Sequence, residues 1–375
     1  MMIRAALICL MLVGPAWAQQ DPATEARNAA TLLEEAAIAL AQADGARDRV
    51  AALTATVKGY EAGLAAMRDG LRAATIREQT LTAELTARRD DVAQLLGVLQ
   101  TIGRSSGPVL LLHPSGPTGT ARAGMLLADV TPALQSRTDA LARDLAEVTT
   151  LRQLQQDAAN RLKEGLSGAQ QARTALSQAI SERTDLPQRF TENPMQTAAL
   201  IGATETLEGF ASGLTQIAEN EAPGHLPDIS ERMGQLPLPV QGRILHRAGD
   251  TDAAGIQRPG IILATRPRAL VTTPTPATIR YRGPLLDYGQ VMILEPQKDM
   301  LIVLAGLDVV FGEAGQVLPQ GSPVGLMGGQ DAQIGAILSQ SSDGAGSDAT
   351  ETLYIEVRQG ADTVDPEIWF KTHND

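Results

Sequence analysis

Apolar residues recur at alternating steps of three and four along the first half of the chain, with Glu78 and Arg88 as interruptions. The seam positions are Leu53, Val57, Tyr60, Leu64, Met67, Leu71, Ala74, Leu81, Leu85, Val92, Leu95, Leu99 and Ile102. A heptad pattern of this length predicts a coiled-coil seam. It predicts one helix from about Thr24 to Ile102, roughly 120 Å long at 1.5 Å per residue. Four glycines weaken that helix and are expected to bend it; they are Gly45, Gly59, Gly63 and Gly70.

The helix is predicted to break between Gly103 and Thr120, where prolines remove backbone donors and favour extended backbone. A second helical pattern runs from Met125 to about Arg183. Two long helices joined by one break predict an antiparallel hairpin over residues 19–190, with its tip near residues 103–131.

The predicted tip is unusually apolar. Its apolar residues are Val109, Leu110, Leu111, Leu112, Leu126 and Leu127. Either a local mini-core covers these side chains, or they form an exposed docking site for a partner, because exposed apolar patches mark interaction sites. Both interpretations stay open.

The second half of the chain changes character. Residues 191–236 combine helical spacing between Glu192 and Asn220 with an irregular segment from Glu221 to Gln235, which indicates a linker helix and a tether. From Leu238 onward, short β-rich runs alternate with Gly and Pro, which predicts a mainly antiparallel β domain over residues 237–375. The expected fold class is therefore α+β and multidomain, with an N-terminal coiled-coil hairpin followed by this domain.

Composition restricts the partners and the compartment. A net charge of −12 argues against a nucleic-acid partner. Residues 1–18 combine one arginine, a short apolar run and the sequence Ala16-Trp17-Ala18, which predicts a cleavable signal peptide. We therefore expect a periplasmic protein with no transmembrane segment after cleavage. Cys9, the single cysteine, lies inside the signal, so no disulfide or cysteine metal site is expected.

One segment near the C-terminus resembles a known peptidase family. Thr352–Arg358 reads TLYIEVR, where the lysostaphin-type (LytM) metallopeptidases read HLHFEVR. The family's H-x-G-I-D-I segment matches Arg258–Leu263, and its L-Y-A-H-L segment matches Val303–Leu307. The resemblance covers roughly the last 135 residues and implies a LytM-like β domain.

The residues that bind zinc or act in catalysis in that family are replaced here. The positions concerned are Arg258, Ile262, Gly306, Thr352 and Tyr354. Zinc needs three or four nitrogen, oxygen or sulfur donors from the protein, and the four histidines of this chain have no matching spacing. We therefore expect no metal, no cofactor and no enzymatic activity.

The whole architecture resembles the EnvC-type murein hydrolase activators. That resemblance implies that a groove in the β domain binds and activates a cell-wall amidase close to peptidoglycan. It also implies that the hairpin docks on an FtsEX-type division complex, and that the middle helix occupies the groove. The expected groove residues are Arg258, Ile262, Tyr288, Val291, Leu304, Tyr354 and Arg358. For Ile262, Val291 and Leu304, plain core packing is an equal alternative.

Two other functions are alternatives to this one. A zinc-dependent murein endopeptidase would contain bound zinc. A periplasmic adaptor of an efflux or secretion system would have β segments on both sides of its hairpin, whereas here the β domain lies wholly after it. The identity of the amidase, the retention of the FtsEX contact and the oligomeric state stay open.

Overall fold

A computed structural model describes residues 22–87, 116–219, 228–251, 257–331 and 349–372, together with residues 90, 93, 94, 97, 100 and 255. The predicted signal peptide, residues 1–18, lies outside this set. So do the tip residues Val109, Leu110, Leu111 and Leu112, and of Leu126 and Leu127 the backbone is described but not the side chains. The signal peptide and the docking tip therefore stay predictions. In the described part of the chain, no helix is both long enough and apolar enough to cross a bilayer.

The first predicted helix is interrupted within the residues that the structure describes. Helix α1 spans Pro22–Ala41 and α2 spans Ala46–Ala87, so the prediction of one helix from Thr24 to Ile102 is wrong at residues 42–45. The break falls at Asp44-Gly45, two residue types with low helix propensity. Helix α1 folds back along α2, and Gly59 and Gly63 lie against Leu33 and Ala29 of α1. These glycines therefore permit close helix packing.

Helix α3 spans Gly116–Ser181 and continues through Pro132. It packs antiparallel to α2, with Leu64 and Leu71 against Leu162 and Ala169 in a shared apolar cluster. Gly168 lets the ring of Tyr60 approach, since a Cβ at this glycine would lie 2.6 Å from the ring. The antiparallel hairpin is thus confirmed, as α2 against α3.

The middle segment also divides into two helices. Helix α4 spans Pro194–Ala203, with the Asn193 side chain capping its first turn, and α5 spans Leu207–Glu219. The single helix expected between Glu192 and Asn220 is therefore interrupted, at residues 204–206. The described part of the predicted irregular tether, residues 228–235, packs on the β domain together with Leu236. Ile229 and Leu236 are buried in the main core of the β domain.

Within the described residues, the C-terminal domain contains ten antiparallel strands. They are β1 Gly242–His246, β2 Ile261–Thr265, β3 Leu270–Thr272, β4 Ala277–Pro284, β5 Gln290–Gln297, β6 Met300–Val310, β7 Val317–Leu318, β8 Pro323–Met327, β9 Glu351–Gln359 and β10 Asp362–Val364. The described part of the domain also has three short 3₁₀ helices, at Ser230–Arg232, Leu286–Tyr288 and Pro366–Ile368. The main strand order is β1-β2-β9-β6-β5-β4-β7. This arrangement confirms the predicted α+β fold class.

The base of the hairpin rests on the β domain. Val57 of α2 and Leu176 of α3 share an apolar cluster with Leu270 and Phe311 of the domain. The carboxylate of Glu61 accepts hydrogen bonds from the backbone N–H of Leu270 (2.9 Å) and from Arg173 (3.2 Å). Arg173 also pairs with Asp331 at 3.0 Å. Hairpin and sheet are therefore joined by both apolar and charged contacts.

Candidate binding face of the β domain

A row of side chains crosses the middle of the sheet on one face. Tyr354 in β9 pairs with Ile262 in β2 on one side and with Ala305 in β6 on the other. Ala305 in turn pairs with Val291 in β5. Directly opposed residues on neighbouring strands share a face. Three predicted groove residues, Ile262, Tyr354 and Val291, therefore lie on one surface. We call this surface the binding face.

Strand β9 contributes a polar column to the same face through its alternate residues Tyr354, Glu356 and Arg358. The Tyr354 hydroxyl donates to Glu356 Oε2 at 2.7 Å, and Arg358 Nη1 donates to Glu356 Oε1 at 2.9 Å. Glu356 is buried and Arg358 is fully buried. One carboxylate thus bridges a phenol and a guanidinium. Sequence reasoning missed Glu356, although its place midway between two predicted site residues on a strand was the available signal.

The electrostatics of this column keep the phenol of Tyr354 protonated. Burial raises the pKa of Tyr354 well above its ordinary value, and the nearby Glu356 carboxylate raises it further. The ionised phenolate is disfavoured because it would lie unsolvated beside another negative charge. Tyr354 therefore acts as a hydrogen-bond donor at this site.

Helix α5 covers the binding face. Its apolar residues follow the spacing i, i+3, i+4, i+7 expected of a helix with one buried side. They are Leu207, Phe210, Ala211 and Leu214, and they pack on Val291, Ile293, Leu301, Val303 and Ala305 of the sheet. Phe210 meets Tyr281 edge-on, with ring centroids 4.7 Å apart. The face is an apolar surface matched to a helix, and the chain's own middle segment occupies it.

Arg358 also binds this helix. Its Nη2 donates to Ser212 Oγ of α5 at 3.1 Å and to the carbonyl oxygen of Ala361 at 2.6 Å. Glu208, also in α5, places a carboxylate oxygen 3.9 Å from the same nitrogen. The guanidinium that the sequence suggested for partner recognition is therefore engaged by the protein itself.

The other predicted groove residues have different positions. Tyr288 is half-buried, and its ring centroid lies 6.2 Å from that of Tyr354, at the edge of the face. Arg258 is half-buried in the loop before β2, where its carbonyl accepts from Gly249 N–H at 2.8 Å. Leu304 was wrongly assigned to the groove. It lies on the opposite side of the sheet, in the main core, because its neighbours Val303 and Ala305 point toward α5.

Four of the five positions that the sequence resemblance aligned with zinc-binding or catalytic residues lie close together. Thr352 and Tyr354 lie on β9, Ile262 on β2 pairs with Tyr354, and Gly306 on β6 lies against Thr352. Gly306 has φ +93°, and a Cβ there would lie 2.6 Å from the carbonyl oxygen of Thr352. This backbone leaves no room for a side chain at that position. Among the residues that the structure describes, no group of three or more His, Cys, Asp or Glu is placed to hold a metal ion.

Comparison with known sequences gives only distant similarity. No family model matches this chain. An uncharacterised protein of Neisseria meningitidis serogroup B, NMB1333, is 25% identical over 148 residues, which make up 40% of this chain and 22% of that protein. The match therefore spans less than a quarter of that relative's length.

Several solved structures are similar to parts of this chain. A putative M23 peptidase of Pseudomonas aeruginosa is 16% identical, with a TM-score of 0.31, over 48% of this chain and 64% of its own. Csd3 of Helicobacter pylori is 18% identical, with a TM-score of 0.28, over 36% of this chain and 35% of its own. The catalytic domain of the prophage-encoded M23 protein EnpA of Enterococcus faecalis is 13% identical, with a TM-score of 0.28, over 39% of this chain and 100% of its own.

Proposed function

We propose that this protein is a non-catalytic periplasmic activator of cell-wall amidases, built on a degenerate LytM-like domain and held inactive by helix α5. The observation that carries the proposal is the position of α5 on the binding face. An apolar face that fits one amphipathic helix also fits another with the same spacing, as in helix-in-groove recognition. The occupant that we propose for the active state is a helix of the amidase.

The chemistry of the face favours binding over hydrolysis. The peptidase positions carry Ile262, Gly306, Thr352 and Tyr354 where a zinc hydrolase needs nitrogen or oxygen ligands around an open coordination site. Their side chains offer apolar surface, a hydroxyl and a phenol instead. Such a surface suits protein contact, in which a buried aromatic and an arginine supply much of the binding energy.

The proposed switch is an exchange of helices. Each large apolar side chain that α5 buries stabilises the covered state by about 1.5–3 kcal/mol. A partner must supply enough binding free energy to overcome this stabilisation and uncover the face. Changing the population from 99% covered to 99% uncovered takes about 5.5 kcal/mol of differential binding. We propose that an FtsEX-type complex, docking on the coiled coil, supplies part of it. The contacts between the hairpin base and the sheet offer a physical connection for such coupling.

An amidase assay with the full-length protein tests this function. Phe210→Asp places a carboxylate in the apolar contact between α5 and the sheet, so we expect it to free the face and raise amidase stimulation several-fold over wild type. Met195→Asp is the matched control, because Met195 lies on the exposed side of α4 with 82% of its surface accessible. Equal stimulation by wild type, Phe210→Asp and Met195→Asp would contradict self-inhibition by α5.

A further inference from the structure

A short strap connects the hairpin to the covering helices and is bound to the edge of the sheet. The strap is residues 186–190, between the end of α3 at Ser181 and the start of α4 at Pro194. Pro187 accepts from Val317 N–H at 2.9 Å, and Arg189 N–H donates to the carbonyl of Gly315 at 2.8 Å. Gln188 and Gln316 form an antiparallel bridge. The strap therefore pairs like an extra strand beside β7, the last strand of the main sheet order.

Side chains of the strap fix it further. Arg189 Nη1 donates to Glu295 Oε2 at 2.7 Å, and Arg280 Nε donates to the same oxygen at 2.5 Å. The Phe190 ring lies against the Arg280 guanidinium, 4.6 Å from ring centroid to Cζ. Glu295 and Arg280 are both buried. Because Glu295 alternates with Val291 and Ile293 along β5, this cluster lies on the same face that α5 covers.

The absence of a side chain at Gly315 allows the strap to lie against the sheet edge. It has φ +89°, and a Cβ there would lie 1.9 Å from the carbonyl oxygen of Phe190. A side chain at this position cannot coexist with the bound strap. The sheet edge is therefore shaped to receive this particular segment.

We propose that the strap is a latch that sets how often α5 leaves the binding face. While the strap is bound, only residues 191–206 separate the sheet edge from α5, so the helix stays at a high effective concentration over its site. When the strap is released, the segment that links α5 to the hairpin becomes longer, because it then begins at Ser181. Its first residues are no longer fixed to the sheet. A movement of the C-terminal end of α3 acts on the strap before it acts on α5, because the strap lies between them in the chain. The latch thereby gives the coiled coil a way to control the face without touching it.

This inference rests on the proposed function for its biological role, but its test needs no amidase. Hydrogen exchange of the α5 amides is measured by mass spectrometry in the full-length protein. Arg189→Met keeps the aliphatic stem but removes the ion pair, and Phe190→Ala removes the ring from Arg280. Each is expected to speed exchange in Leu207–Glu219 about tenfold or more, because each removes a side-chain contact that holds the strap on the sheet, and exchange reports local opening.

Gln188→Ala is the matched control, because Gln188 is exposed and its backbone bridge is retained. It should exchange as wild type does. Exchange in α5 that matches wild type in both latch variants would overturn the inference. So would equal acceleration in β4, β5 and α5, because the strap would then stabilise the whole domain and not α5 in particular. Failure of the amidase assay with normal latch behaviour would contradict the proposed function and leave the latch intact.

Discussion

The guanidinium of Arg358 donates to the hydroxyl of Ser212 at 3.1 Å, which joins strand β9 to the helix that covers it. The same guanidinium holds Glu356 at 2.9 Å and is fully buried. Arg358 is therefore part of the domain's own stability as well as of the binding face. A substitution at this residue changes both properties, so the two must be separated by experiment.

Arg358→Ala is expected to destabilise the β domain by about 3–5 kcal/mol, because it leaves the buried Glu356 carboxylate without its charged partner. The double variant Glu356→Gln with Arg358→Met removes both charges and keeps similar volumes, so it should be markedly more stable than Arg358→Ala. Urea denaturation of the purified proteins measures the difference. Equal stability of the single and double variants would contradict the assigned charge pairing.

Tyr354 is expected to make the stability of the protein depend on pH in the alkaline range. Its folded-state pKa is raised above the ordinary tyrosine value of 10.0, whereas the unfolded chain releases the proton near that value. Above pH 10 the folded state therefore binds more protons than the unfolded state, and stability falls as pH rises, by up to about 1.4 kcal/mol per pH unit. Tyr354→Phe lacks this contribution.

The measurement for Tyr354 is the free energy of unfolding of wild type and Tyr354→Phe between pH 8 and 11. At pH 8 the variant should be less stable by about 1.5–3 kcal/mol, the value of a hydrogen bond to a charged group, here Glu356. The gap should narrow above pH 10. A gap that stays constant across this range would show that Tyr354 titrates alike in both states.

Gly306 lies where an added Cβ would meet the backbone carbonyl oxygen of Thr352. Gly306→Ala should destabilise the domain by about 1–3 kcal/mol more than Gly360→Ala, because only the first substitution drives a Cβ into a backbone carbonyl. Gly360 is the matched control, with φ +60° and nothing within 4 Å of an added Cβ. Thermal unfolding of the two variants checks this expectation. Similar losses in both would indicate that the backbone conformation is the dominant cost at Gly306.

Hydrophobic periodicity predicted much of the fold correctly. The seam positions Leu64 and Leu71 pack against the second helix of the hairpin as expected, and the β-rich runs after Leu238 form the antiparallel sheet. The turn between α1 and α2 was missed because the apolar steps continue smoothly after it, and Asp44-Gly45 is a weak local signal. The packing role of Gly59 depends on Leu33 of another helix, so spacing along one helix does not reveal it.

The residues of the binding face were predicted in part, because alternation along one strand can be read from the sequence and contacts between elements cannot. Alternation along strands places Tyr354 and Arg358 together, and the structure keeps them so. Assigning Leu304 to its proper face requires the strand register, which the sequence does not specify. The pairing of Arg358 with Ser212 joins residues 146 positions apart and follows only from the docking of α5.

The measurement that tests the central claim most directly is hydrogen exchange of the full-length protein with and without a bound amidase. If the amidase takes the place of α5, amides of Leu207–Glu219 exchange faster in the complex, while amides of β5, β6 and β9 become equally or better protected. If the amides of α5 stay protected while the amidase is bound and active, the amidase does not bind at the binding face. The proposed displacement of α5 would then be wrong.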